Sequence, residues 1–308
     1  MEQPDPPRVL PFAAPPEAVV VQAVPGVLSQ LARAAWPRGR AQGRLSQEAG
    51  ARLGPIAVEQ RGRRMDPQRI ARFRAVCGYA EGSGVPPVFL ETLFHGLLVE
   101  LLLSPAFPLR AMGLVHLRQR LLAHRPIAPD ASLDLRCHLA EVRATARGLE
   151  LDCAMEAREG DDLSWEGLAT LFSRDPEAQR GGGRPPAAPP GPQEESWSEP
   201  LLAAVPADTG RRYAAASGDY NPFHLHALLA RPFGFPRAIA HGMWTLGWAL
   251  AQVEGALSPA LQVEATFRKP LFLPGRVALR RREVASGLDL EVRHPEQDLL
   301  YLAAEVRW

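Results

Sequence analysis

Asparagine and lysine are almost missing from this chain. Each occurs once in 308 residues, as Asn221 and Lys269. Nearly all positive charge is therefore arginine. Scarce Asn and Lys beside abundant Ala, Arg, Gly and Pro suggest a coding bias, which makes the lone copies worth locating but assigns them no function. Cysteine is sparse too. Cys77, Cys137 and Cys153 are odd in number and widely spaced, with no Cys-x-x-Cys. This argues against a disulfide framework or a dithiol motif and predicts three reduced, partly buried thiols. Neither sign of charge dominates. A formal net charge of +1 offers no global electrostatic argument for a nucleic-acid partner. Long apolar runs are absent as well. "GLLVELLLS" carries a charge and is too short to span a bilayer. The N-terminal "MEQPDPPRVLPFAAPPEAVVVQAVPG" starts acidic and is broken by prolines, without the basic start and continuous apolar core of a signal peptide. The expectation is a soluble cytoplasmic protein with no membrane span and no nucleic-acid partner.

What is present is a globular composition, 46% apolar, in a length that suits one large domain or two ordinary ones. Residues 174–204 include "RDPEAQRGGGRPPAAPPGPQEESWSEP". This Gly-, Pro- and polar-rich stretch has too few core-forming side chains to offset its ordering entropy and reads as a linker. It separates an N-terminal unit over 55–173 from a C-terminal unit over 205–308. Residues 1–54 form a Pro- and Arg-rich leader with one candidate helix, "VLSQLARAAW".

The two units repeat one pattern. "DPQRIARFRAVCGYA" and "GRRYAAASGDYN" each read as a helix running into a turn, the first with Asp66 as N-cap and Pro67 at the first helical position. A longer apolar helix follows in each: "FLETLFHGLLVELLL" and "AIAHGMWTLGWALAQVEGAL". Four alternating, strand-like segments complete each unit. An internal duplication is the simplest account. A helix apolar all round must be buried on all sides. An antiparallel meander wrapped around it meets that demand, which predicts an α+β fold.

The lone asparagine sits in "SGDYNPFHLH". Gly218, Asn221 and Pro222 are turn chemistry. A turn centred on Asn221 and Pro222 can point Asp219 and His224 into one space. A carboxylate and an imidazole sharing a water form a basic unit of proton transfer. "AHGM" then opens the buried helix. Its first N–H groups lack intrahelical partners, Gly242 permits close approach of a ligand, and such N–H groups suit an oxygen that becomes negative in a transition state. Other readings compete. His224, His226 and His241 could bind zinc, but that leaves Asp219, Asn221 and Gly242 unexplained. Asp219 alone could be a turn residue. Arg211 and Arg212 read as a solvated face, His95 and His116 as structural residues, and Trp244 and Trp248 as core packing.

The stretch resembles the signature of the MaoC-like family of (R)-specific enoyl-CoA hydratases and acyl dehydratases. The matching residues are Tyr213, Ala214, Ser217, Gly218, Asp219, Asn221, Pro222 and His224, then Phe235, Pro236, Ile239, His241, Gly242 and Met243. The two-unit layout is similar to the family's double hot-dog members, with "VPP" before the first unit's long helix and "GLVHL" after it. The resemblance implies two antiparallel sheets, each wrapped around a central helix. It implies Asp219 and His224 as the pair that activates a water, Asn221 as the residue orienting the loop or the water, and the Gly242 N–H as receiver of the thioester oxygen. Ser217 and His241 are supporting substrate-side candidates. Arg268 and Lys269 are candidates for the phosphates or pantetheine of a carrier. The implied substrate is an acyl-CoA or acyl-carrier-protein thioester, with no metal or other cofactor. Two departures stand out: His226, where many members have an acidic residue, and Phe223 in place of Leu or Ile. The first unit reads "GYAEGSGVPP" at the signature, without the Asp and His, so one site per chain is expected. In double hot-dog relatives the degenerate unit leaves room for a bulkier acyl chain. Two units in one chain already make the pair that single-unit relatives obtain by dimerising, so a homodimer is left open. The readings to be separated are a hydratase or dehydratase, a dehydratase for a branched or modified acyl group, and a non-catalytic acyl-thioester binding protein.

Overall fold

The computed structural model describes residues 17–26, 29, 30, 32, 33, 56–82, 84–107, 109, 111, 113–174 and 197–308. Most of the expected leader and residues 175–196 of the expected linker lie outside them. Within the leader, residues 29, 30, 32 and 33 are helical, where a helix was expected.

The duplication is visible element by element. After a short β1 (Val19–Val20), the first unit runs β2 (Ala57–Arg64), α1 (Pro67–Cys77), α2 (Glu91–Leu103), β3 (Val115–Ala123), β4 (Ser132–Thr145), β5 (Gly148–Glu159) and β6 (Asp162–Arg174). The second runs β7 (Leu201–Val205), α3 (Thr209–Ser217), α4 (Pro222–Leu225), α5 (Ala227–Ala230), α6 (Gly242–Ala251), β8 (Leu261–Phe267), β9 (Gly275–Val284), β10 (Gly287–Arg293) and β11 (Leu300–Arg307). The long helices α2 and α6 pack against the sheet of their own unit, α2 on β2 and β4 and α6 on β10 and β11. This is a double hot-dog.

Two sheets were expected. One forms. Its order is β1-β2-β4-β5-β6-β3-β8-β11-β10-β9-β7. The halves join where β3 pairs antiparallel with β8, with Arg118 opposite Thr266 and Leu121 opposite Val263. Each unit alone would leave an edge strand with unpaired N–H and C=O groups there, and pairing the two edges satisfies both. The sheet is not wholly antiparallel, because β1 pairs parallel with β2. Two strands carry little pattern in the sequence. β2 is Ala-Val followed by charged and polar residues, with a register shift between Gln60 and Arg63. β7 begins inside the segment expected to be linker.

Elsewhere the alternation works as expected. Along β8, Leu261, Val263 and Ala265 are buried between less buried Gln262, Glu264 and Thr266. Asp66 caps α1, accepting from Gln68 N at 2.9 Å. α1 ends at Gly78 with φ 81° and α3 ends at Gly218 with φ 84°. The two helices pack together, with the Phe73 and Tyr213 ring centroids 5.8 Å apart. α6 buries Met243, Trp244, Leu246, Trp248 and Leu250, each contributing roughly 1.5–3 kcal/mol if fully buried. All three cysteines are free and buried, more deeply than expected. Among the described residues no helix is long and apolar enough to cross a membrane.

Candidate active site

The site grows from the end of α3. The left-handed Gly218 stops the helix, as only glycine does without a Cβ penalty. The chain reverses through Asp219, Tyr220 and Asn221 into α4, which has Pro222 in its first turn. Asn221 ties this turn to the carboxylate. Its backbone N–H and its side-chain Nδ2 both donate to Asp219 Oδ1, at 3.0 and 2.7 Å. Ser217 Oγ accepts from Asp219 N at 3.1 Å. Ser217 is 3% exposed and supports the turn from below.

His224 lies in α4 and is buried. Its Nδ1 meets Ile239 O at 2.8 Å. A carbonyl only accepts, so the proton belongs on Nδ1 and Nε2 keeps its lone pair. Gly210 makes this position possible: a Cβ there would lie 2.0 Å from His224 O. His241 stacks on His224 with ring centroids 3.6 Å apart. Its Nε2 donates to the Asp219 main-chain oxygen at 3.0 Å and stands 3.7 Å from Oδ2. Asp219, His224 and His241 thus gather within a few ångströms, their candidate ligand atoms within 4.8 Å of one another. His226 is not part of that group. It is exposed, and its Nδ1 accepts from Leu228 N at 3.2 Å, capping α5. The triad of His224, His226 and His241 does not form. The departure at His226 is explained locally, since a carboxylate could make the same cap.

The electrostatics divide the roles. Burial opposes ionisation of Asp219, but His95, His241, His224 and the Asn221 N–H outweigh it and hold the carboxyl below the usual carboxylate range. Burial pushes His224 down, against the pull of Asp219. Burial, and then the adjacent His224, push His241 down to about 3. Near neutral pH the cluster is therefore an ionised carboxylate beside neutral imidazoles.

α6 begins at Gly242, next to His241. The glycine was expected to give a ligand close approach. The structure adds a packing reason: a Cβ there would lie 2.9 Å from the Phe267 ring. Gly242 and Met243 both line the adjoining cavity, and the first N–H groups of a helix have no intrahelical partner.

A cavity of about 1350 Å³ runs along this constellation, with Asp219, His224 and Gly242 lining it from the second unit and Glu91, His95 and Leu98 from the first. Arg268 and Lys269 also line it and are exposed. Phe223 lines it within an aromatic group, 5.2 Å from Phe233 and 6.0 Å from Phe235 between ring centroids.

Several side chains from the first unit reach further than the sequence indicated. His95 was expected to be structural. Instead its Nε2 stands 3.9 Å from Asp219 Oδ1, across the cavity. Glu91 is buried on the same helix, and burial and then the nearby Asp219 push its carboxyl up to about 8. Arg69 reaches from α1 to the carbonyls of Ala216 and Ser217, fastening the end of α3. The available signal was the spacing of Glu91 and His95, one turn apart on a mostly apolar helix. Other expectations fit their places. His116 bonds Arg118 O at 3.0 Å, Arg211 and Arg212 are exposed, and Trp244 and Trp248 are buried.

Residues 191–288 match the family model for the MaoC like domain. The chain is 32% identical over 246 residues to 3-hydroxyacyl-thioester dehydratase X of Mycobacterium tuberculosis, spanning 79% of this chain and 86% of that protein. It belongs to the MaoC-like dehydratase family. A crystal structure of HtdX from Mycobacterium tuberculosis superposes with a TM-score of 0.71 at 31% identity, covering 82% of this chain and 99% of that one. The MaoC-like fold extends to a dehydratase from Phytophthora capsici, with a TM-score of 0.69 at 14% identity over 86% of this chain and 98% of that one. Peroxisomal enoyl-CoA hydratase 2 of Arabidopsis thaliana is 27% identical over 179 residues, 55% of this chain and 58% of that protein.

Proposed function

We propose that this protein reversibly hydrates trans-2-enoyl thioesters to (R)-3-hydroxyacyl thioesters. The observation that carries the reading is the pairing of an ionised Asp219 with a His224 whose Nε2 is free, both lining a large cavity. Both are proton acceptors at rest. A water between them would lose a proton to one of them as its oxygen bonds C3. Electron density would move from the C2–C3 double bond onto the thioester oxygen, which the N–H of Gly242 would receive. The proton taken from water would then pass to C2, so the addition balances with no external reagent. Dehydration runs the same path backward. Asn221 would hold the carboxylate in line. Ser217 and His241 would hold the turn through the Asp219 main chain. Arg268 and Lys269 would meet the phosphates of coenzyme A or of a carrier protein. The names of the Mycobacterium tuberculosis and Arabidopsis thaliana relatives support this class of reaction.

A second reading, a preference for a bulky or branched acyl group, is favoured by one observation. Part of the cavity wall is apolar, formed by Leu98, Val99 and Leu102 of the first unit's long helix. Purified protein mixed with enoyl thioesters of differing length and branching tests both readings. Loss of the conjugated-enoyl absorbance without release of free thiol is expected, fastest with the bulkier chains. Saturable binding with no loss would make the protein a binding module, and thiol release would make it a thioesterase.

A further inference from the structure

The degenerate unit has no Asp or His at the signature position. It nevertheless places an imidazole at the active carboxylate. We infer that His95 is a positioning residue for Asp219, supplied by the first unit to the second unit's site. This rests on the hydration reading above.

Asp219 Oδ1 takes two donors from Asn221, both from within the same turn. His241 is spent on the main-chain oxygen, and His224 Nδ1 on Ile239. His241 also stands 3.7 Å from Oδ2, and the other wall of the cavity brings a further imidazole to Oδ1. On that wall α2 presents Glu91 and His95, one helical turn apart and so on one face. His95 Nε2 is 3.9 Å from Oδ1, and both side chains are 22% exposed. That distance is too long for a direct hydrogen bond. It suits one bridging water, or a bond that closes when substrate fills the cavity.

Both walls belong to rigid parts. α2 is packed on β2 and β4. Arg69 bonds Thr92 O on α2 and Ser217 O on α3, bridging the two walls. The helices that carry His95 and lead into Asp219 are thus tied together by one guanidinium. A water bound there would sit between an N–H donor and an ionised acceptor, which fixes the carboxylate's rotation about its last bond. A carboxylate free to rotate spends less time aligned with the reacting water.

The test is steady-state turnover of an enoyl thioester by the full chain and three variants. His95→Ala and His95→Phe are expected to lower kcat about tenfold or more, the scale of one hydrogen bond to a charged group. KM should change much less. His95→Gln, which keeps an N–H donor, should recover most of the rate. Thermal midpoints of the three report whether the fold holds. The inference is overturned by unchanged kcat in His95→Ala, by recovery in the ring-shaped but donor-free His95→Phe, or by a rise in KM at constant kcat. Failure of the unmodified protein to consume the enoyl thioester would instead strike the hydration reading.

Discussion

The two units share a frame and differ around the loop that follows the first helix, and the difference shows how one copy of a duplicated fold comes to present the candidate site. Count back from the left-handed glycine that ends each first helix, Gly78 in α1 and Gly218 in α3. Phe73 then corresponds to Tyr213, Cys77 to Ser217, Arg74 to Ala214 and Ile70 to Gly210. The aromatic pair meets across the interface. The other three pairs carry the divergence. Ser217 supports the Asp219 turn with its hydroxyl, whereas Cys77 is buried and free. Gly210 leaves room for His224 O, whereas Ile70 fills the core. Ala214 is small, whereas Arg74 sends its guanidinium into the following loop. There it bonds Ala80 O, Gly84 O and Glu254 of the other unit. One loop is tied by an asparagine to a carboxylate and left facing a cavity. The other is tied by an arginine and closed.

The largest contrast is in activity. Asp219→Asn and His224→Ala should each lower kcat by at least about 100-fold, the scale of general acid–base catalysis. Glu81→Ala, in the corresponding loop of the first unit, should leave it unchanged. Equal effects in the enoyl absorbance assay would mean that both loops work.

Next is stability. Arg74→Ala leaves two carbonyls and Glu254 without their shared partner. It should cost about 3 kcal/mol in denaturant unfolding, with kcat of the folded protein nearly unchanged. Loss of activity at full stability would mean that the closed loop has a role in the site.

Gly210→Ala should cost about 1–3 kcal/mol through overpacking and lower kcat, because the added Cβ must push α4 and His224 away. A fully active variant would show that the turn adapts.

The last contrast is in pH. The Glu91 carboxyl, at about 8, is raised above its ordinary value by burial. Between an ordinary carboxylate value and 8 the unfolded chain has lost that proton and the folded chain still holds it. Stability from this group is therefore full at low pH and lost as pH rises toward 8. Glu91→Gln should raise the thermal midpoint relative to the parent at pH 8 and not at pH 4.5. His241 works in the opposite direction. Its value of about 3 makes the unfolded chain bind more protons below its ordinary value, so acid erodes its contribution. The parent–variant difference isolates Glu91 from it.

Much of this was legible in the sequence because its signals are local. Asp219, Asn221 and His224 fall in one turn, and their proximity follows from a Gly–Asn–Pro pattern. The repeated order of helices and strands follows from periodicity. The helix ends at Gly78 and Gly218 follow from glycine itself. What escaped was set by distant partners. β2 carries charges on a strand whose pairing comes from β4. The merger of two sheets depends on β3 finding β8. His95 sits on a helix that reads as core, and only the packing of the two units brings it to Asp219. The cap made by His226 needed the geometry of α5.

The most direct test of the central claim is to run the reaction in deuterated water and analyse the product. A trans-2-enoyl thioester should become a single 3-hydroxyacyl thioester of (R) configuration, with one deuterium at C2 and the thioester intact. An (S) or racemic product, release of the free acid, or recovery of the enoyl thioester unchanged would contradict the account.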